Sequence, residues 1–177
     1  MKTTILLSIA MAASAASEQS WLELSDGFVW EEQSDEISEF KPVDVSTRLL
    51  ARNFRDALET IWRKDEVPPR IRFAEVDLNG DGVNEVFIEN RELGGSGGTV
   101  FLIFSLQDAK YVQIGDLLGF GFEFLSPKNG WAKIKAYSRG GGGQHTRYLQ
   151  EIENGAYVTV RIENHDLNSN KVTIRTE

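Results

Sequence analysis

The chain contains no cysteine, and this absence removes several kinds of chemistry at once. No disulfide can staple the fold, no thiolate can act as a nucleophile, and no cysteine-based zinc site can form. A lipid anchor of the bacterial lipoprotein kind is excluded as well, because that anchor is attached to a cysteine. Stability must therefore come from core packing, alone or together with a bound metal.

Basic residues are also scarce, with 19 Lys and Arg against 27 Asp and Glu and a formal net charge of −8. The charge becomes −9 if a leader containing Lys2 is removed. Such a charge repels nucleic acid and anionic membranes, whose binding needs clustered Lys and Arg. It favours cations or a basic protein as partners.

Long apolar runs are missing except at the start of the chain. Residues 1–16 combine the positive Lys2, an apolar run over Ile5–Ala13 and the small residues Ser14–Ala16. This is the layout of a secretory signal peptide, cleaved after Ala15 or Ala16. The run is about half of the roughly 20 residues that a spanning helix needs. We therefore expect export to the periplasm or the cell exterior, without membrane insertion.

Residues 17–45 form an acidic, irregular segment. Eight acids precede Lys41, the first base after the leader: Glu18, Glu23, Asp26, Glu31, Glu32, Asp35, Glu36 and Glu39. Such a charge run is typical of a solvated segment. Aromatic residues are scattered among the acids, however, and they leave open that the segment is an arm laid over the domain.

Residues 46–177 are expected to form a single α+β domain. Apolar residues at spacings of three and four predict one amphipathic helix over 47–64, with Ser46 as N-cap and Pro68-Pro69 beyond its end. A period of two then predicts short strands at 71–76, 86–88, 99–104, 111–118, 120–125, 131–137, 146–152, 157–162 and 172–174. The fold class is therefore mainly an antiparallel β-meander, with the N-terminal amphipathic helix packed on the sheet.

Two glycine clusters, 94–98 and 140–143, interrupt the strands. Neither is a phosphate-binding loop: the first lacks a following Lys-Ser/Thr and leads into a strand, whereas phosphate loops use a helix N-terminus. We interpret the clusters as flexible hairpin connections, or as a backbone surface that approaches a partner closely.

The loop 77–85 carries the clearest chemistry in the sequence. Oxygen ligands stand at its first, third, fifth and ninth positions, and a backbone carbonyl at the seventh. These predicted ligands are Asp77, Asn79, Asp81, Glu85 and the carbonyl of Val83. Calcium prefers such a flexible shell of six to eight oxygens. The sequence therefore predicts a Ca²⁺ site, and the alternative is a hairpin turn rich in Asp, Asn and Gly that binds no metal.

The loop differs from an EF-hand, which needs an acid at position twelve and flanking helices. Position twelve is Ile88, and both flanks read as strands. The loop resembles instead the calcium loops of FG-GAP and VCBS repeats. The stretch from Ile71 to Tyr157 also resembles small exported bacterial domains of unknown function. The matching pieces are 77–85, 94–98, 100–104, Gly130-Trp131 and 153–157. This resemblance implies calcium binding and no enzymatic activity.

Residues suited to catalysis are few. His145 lies near Ser138 and Arg139 in the sequence, but no nucleophile elbow accompanies them, and His165 is the only other histidine. A glycosidase with paired carboxylates stays open, because carboxylate separation is invisible in a sequence. We expect no catalytic residues and no enzyme.

Two functions follow from these observations. The first is an exported, calcium-binding, non-catalytic β-rich domain that serves as a binding or structural module. The alternative is a periplasmic inhibitor or immunity protein directed against a basic hydrolase or toxin, attracted by the negative charge. In that case a glycine loop, with Arg139, His145 and Arg147 nearby, would enter the active cleft.

Overall fold

The computed structural model describes residues 43–50, 53–63 and 66–177. The predicted signal peptide, 1–16, lies outside the described residues, as does the acidic segment except for its last three positions. No helix in the described ranges combines the length and apolar character needed to cross a membrane.

The described residues form ten strands and two short helices. In chain order they are β1 (Val43–Ser46), α1 (Thr47–Leu50), α2 (Arg55–Ile61), β2 (Arg70–Val76), β3 (Glu85–Gly95), β4 (Gly98–Gln107), β5 (Lys110–Gly119), β6 (Gly121–Lys128), β7 (Trp131–Arg139), β8 (Gln144–Glu153), β9 (Ala156–Asp166) and β10 (Lys171–Thr176). Strands β1 to β5 make one antiparallel sheet and β6 to β10 a second, each in sequence order.

The predicted antiparallel meander is confirmed, but it is divided between two sheets rather than one. Within each sheet every strand pairs with the next one in the chain, as the alternating pattern indicates. The connections are short except between β1 and β2, where the helices lie. The Asn129-Gly130 and Asn154-Gly155 turns have positive φ at both residues, 55° and 82° in the first and 52° and 83° in the second. This geometry matches the right-handed twist of the flanking strands, which is why Asn-Gly is favoured there.

The predicted continuous helix over 47–64 is not observed. Helices α1 and α2 are separate, and residues 51–52 between them are outside the described part. Leu50 O accepts both Asn53 N (2.9 Å) and Phe54 N (2.8 Å), and Phe54 itself has φ −119° and ψ 23°. Trp62 is extended at ψ 150°, so α2 ends at Ile61 rather than Lys64. The buried rings of Phe54 and Trp62 lie on these non-helical residues.

Two apolar cores lie on opposite faces of the first sheet. One joins the two sheets and contains Phe87, Phe101, Ile103, Leu117, Phe122, Ile134 and their neighbours. The other joins the helical segment to the first sheet and contains Leu50, Phe54, Leu58, Trp62, Phe73, Val86, Ile88 and Phe104 among others. The order of layers is therefore helices, first sheet, second sheet.

The two sheets meet where backbones approach each other closely. Gly97 O accepts Ser138 Oγ at 2.6 Å and Arg139 N at 3.3 Å, and Phe120 N donates to Tyr137 O at 2.7 Å. A Cβ atom at Gly119 would lie 2.4 Å from Tyr137 O. The first glycine cluster thus packs against β7 of the same chain, and the close contact requires residues without a side chain.

Gly119→Ala is predicted to lower the free energy of unfolding by about 1–3 kcal/mol, because backbone must move to admit the new methyl group. Gly95→Ala is the matched control, since a Cβ there meets nothing within 4 Å and its φ is not positive. Urea unfolding of both variants measures the difference. Equal stability of the two variants would contradict the close packing at Gly119.

Candidate metal-binding loop

The loop between β2 and β3 lies at the junction of the two sheets. Its second residue, Leu78, is buried in the core between the sheets. Leu78 O accepts the amide of Ala132 on β7 at 2.7 Å. The loop is therefore anchored to the second sheet as well as to its own two strands.

Asp77 organises the first half of the loop. Its Oδ1 accepts Gly80 N at 2.8 Å, and its Oδ2 accepts Gly82 N at 3.0 Å. Gly80 and Gly82 have φ of 74° and 84°, a region that side-chain-bearing residues rarely adopt. The two glycines thus allow the chain to wrap around the Asp77 carboxylate.

Asn79 and Asp81 continue the same pattern on the exposed side of the loop. Asn79 Oδ1 accepts Asp81 N at 2.9 Å, and Asp81 Oδ1 accepts Val83 N at 2.7 Å. Asn79 Nδ2 also donates to Asp81 Oδ2 at 2.9 Å. Three of the five predicted ligands, Asp77, Asn79 and Asp81, therefore use their side-chain oxygens to hold successive amides of the loop.

Glu85 differs from the other ligands because it is buried, with only 1% of its surface exposed. Its Oε2 accepts Leu78 N at 2.9 Å and its Oε1 accepts Ser105 Oγ at 3.2 Å. Burial raises the pKa of the Glu85 carboxyl above its usual range, and the two hydrogen bonds oppose that rise. The charges of Asp81 and Asp77 raise the pKa further.

The five predicted ligands share one loop, but their side chains do not converge on one point. Within the described ranges, no three His, Cys, Asp or Glu side chains lie close enough together to hold a metal. Asp77 and Asp81 face the loop amides, whereas Glu85 faces Leu78 and Ser105. A carboxylate has about four acceptor positions, so these amide bonds leave positions for a cation. The donor set suits calcium, and closing a full shell requires side-chain rotation.

Ser105 is the polar partner that the sequence analysis missed. It follows the apolar run 99–104 on β4, the strand paired with β3, and its buried hydroxyl contacts Glu85. The only signal for it in the sequence is a serine at the end of an otherwise apolar strand.

Ser138 and His145, which are close in the sequence, do not form a Ser/His pair in the structure. Ser138 pairs with Thr146 and Arg139 with His145 across β7 and β8, so Ser138 and His145 lie on opposite faces of the sheet. The Ser138 hydroxyl is used to bind Gly97 O. Burial lowers the pKa of His145, and the charges of Arg139 and His165 lower it further.

Comparison of the chain with protein-family models, with curated proteins and with solved structures gave no match.

Glu85→Ala is predicted to cost about 1–3 kcal/mol of stability in the presence of chelator, because the buried Leu78 amide loses its acceptor. Glu85→Gln keeps an acceptor and removes a buried charge, so it should stay within about 1 kcal/mol of the parent. Chemical unfolding of both variants in chelator tests this expectation. If glutamine proves as costly as alanine, the carboxylate charge itself stabilises the metal-free loop.

Proposed function

We propose that this chain is an exported, calcium-stabilised, non-catalytic β-rich domain that serves as a binding or structural module. The observation that carries the proposal is the buried carboxylate of Glu85, whose pKa is raised by burial and by the charges of Asp81 and Asp77 in the same loop. A cation placed among these carboxylates would offset the repulsion that Glu85 feels from the other two.

The ligands would be Asp77, Asn79, Asp81, Glu85 and the carbonyl of Val83. When bound, calcium would neutralise the loop acids and hold the hairpin closed. The glycines at 80 and 82 already give the backbone the positive φ that a tight loop around an ion needs. The resemblance to FG-GAP and VCBS loops, which rests on the same residues, supports this assignment.

The position of the loop explains what calcium would achieve. Leu78 ties the loop to β7, so an ion that orders the loop would also strengthen the junction of the two sheets. An ion that binds only the folded state stabilises it by mass action. Calcium at ten times its dissociation constant would add about 1.4 kcal/mol. Export would place the chain where millimolar calcium sites of this kind operate.

The alternative of a periplasmic inhibitor or immunity protein draws less support from the geometry. It needs Arg139, His145 and Arg147 to project beside a glycine loop. Arg139 is exposed, but His145 and Arg147 are buried. The glycine cluster 94–98 packs against β7 of the same chain. A basic partner stays a prediction of the charge alone.

The melting temperature of the mature protein is expected to be about 3–6 °C higher in millimolar calcium than in chelator. This range follows from the free energy above and the size of the domain. Asp81→Ala should lose most of this rise, because it removes a predicted ligand. Glu92→Ala is the control: it removes one acid from the same strand, seven residues from Glu85 and about 20 Å away. It should keep the rise.

Equal melting temperatures with calcium and chelator would contradict the metal site. A calcium effect that Glu92→Ala and Asp81→Ala lose equally would place the ion elsewhere and show a general response to charge. In the first case the loop is a turn, and binding to basic hydrolases becomes the experiment to pursue.

A further inference from the structure

Strand β10 lies at the open edge of the second sheet. It pairs with β9 over the six consecutive residues Lys171–Thr176, without a shift in register. Glu177 N donates to Val160 O at 3.2 Å and continues the same ladder. The hairpin is held at its turn, where Leu167 N donates to Gly143 O at 3.0 Å. Within the described ranges no second strand pairs with β10, so its outer edge has no strand beside it.

The ladder with β9 determines which backbone groups of β10 point to the open edge. In an antiparallel pair, residues alternate between directing their N–H and C=O groups toward the neighbouring strand and directing them away from it. Because the N–H of Glu177 points to β9, the backbone groups of Val172, Ile174 and Thr176 point to the open edge. Each of these residues therefore offers one donor and one acceptor to a further strand.

The other edge strands of the two sheets carry features that hinder pairing. Strand β1 has only four residues, the pairing of β5 with β4 is shifted by a bulge, and β6 contains Pro127 at an irregularity. Short strands, bulges and proline are the means by which sheets avoid pairing at their edges. Strand β10 has neither a bulge nor a proline, and its Ile174 is 47% exposed. It is therefore the edge best suited to accept another strand.

We propose that β10 pairs antiparallel with β10 of a second copy of this chain, about a two-fold axis at Ile174. The outward-facing residues then lie opposite one another: Ile174 opposite Ile174, and Val172 opposite Thr176. All the backbone groups at the open edge form hydrogen bonds, and the second sheets of the two copies become one continuous sheet. Such a two-fold interface is self-complementary, because the same surface serves both copies.

The charged residues of β10 favour this register over its neighbours. With the axis at Ile174, Lys171 lies opposite Glu177 of the second copy, and Arg175 lies opposite Thr173. An axis at Thr173 would place Lys171 opposite Arg175, and an axis at Arg175 would place two arginines opposite each other. Like charges directly opposite are destabilising, whereas opposite charges attract. Glu177 already contacts Arg175 of its own chain at 2.7 Å and would lie between two cations.

The exposed side chain of Ile174 gains an apolar contact in the same arrangement. Opposite residues in a hydrogen-bonded pair have Cα atoms about 5.5 Å apart and side chains on one face, so the two Ile174 side chains touch. Main-chain hydrogen bonds supply most of the affinity in strand addition of this kind. One pair of strands buries little area compared with a permanent dimer, so we expect reversible association that depends on protein concentration.

A single introduced cysteine tests the position of the axis, because the chain has no cysteine of its own. Ile174→Cys should form a disulfide-linked dimer on mild oxidation, since Cα atoms about 5.5 Å apart suit a disulfide. Thr176→Cys is the matched control: its counterpart in the second copy would be about 14 Å away, beyond the reach of a disulfide. Non-reducing electrophoresis measures both yields. Equal yields at the two positions, or no dimer at either, would overturn the proposal.

Charge reversal tests the register in sedimentation equilibrium of the mature protein. Lys171→Glu should weaken association about tenfold, because two attractive pairs become repulsive. Combining it with Glu177→Lys should restore association. The double variant keeps the new acid opposite Asp166 of β9, so damage to the hairpin alone would not be repaired. Lys110→Glu, the same charge change at an exposed residue of β5, should associate like the parent protein.

Two results of the sedimentation experiment would contradict the pairing. One is a parent protein that stays monomeric up to millimolar concentration. The other is a dimer that Lys171→Glu leaves unchanged or that the double variant does not restore, because another surface would then hold the copies together. All these measurements are made in chelator, so neither result bears on the calcium loop.

Discussion

Burial of strand β3 on both faces is the constraint on which the rest of the structure depends. Val86, Phe87 and Ile88 are all fully buried, although neighbouring residues in a strand point in opposite directions. Phe87 lies in the core between the sheets, and Val86 and Ile88 lie in the core under the helices. At about 25 cal/mol per Å² of apolar surface, each side chain contributes roughly 1.5–3 kcal/mol. Without cysteine, this layered packing must replace any covalent staple.

The double burial explains why the loop acid Glu85 has an unusual environment. Glu85 is the first residue of β3, so the same layers that cover the strand also cover its carboxylate. Hydrogen bonds from Leu78 and Ser105 satisfy its oxygens, but the charge is poorly solvated. A turn alone does not require a buried acid, and the calcium proposal rests on this feature.

Local patterns predicted the strands well, because alternation and Asn-Gly turns act over a few residues. The division into two sheets was not predictable in this way: alternation shows that Ala74 and Phe87 face a core, but not which layer lies opposite. The helix over 47–64 was overextended, because the apolar spacing continues through Phe54 and Trp62 although neither residue is helical. The ligand set of the loop follows from spacing and stays a prediction. The hydroxyl of Ser105 comes from the adjacent strand β4, 20 residues along the chain, so local spacing does not reveal it.

The placement of charge changes the argument about partners. Residues 43–177 contain 17 basic and 19 acidic residues, so that part of the chain carries only −2. Most of the negative charge of the protein therefore lies in 17–42. The formal charge of the whole chain is therefore a poor guide to the partners of the described fold, which is nearly neutral by itself. A basic protein attracted by long-range charge would be attracted mainly by residues 17–42.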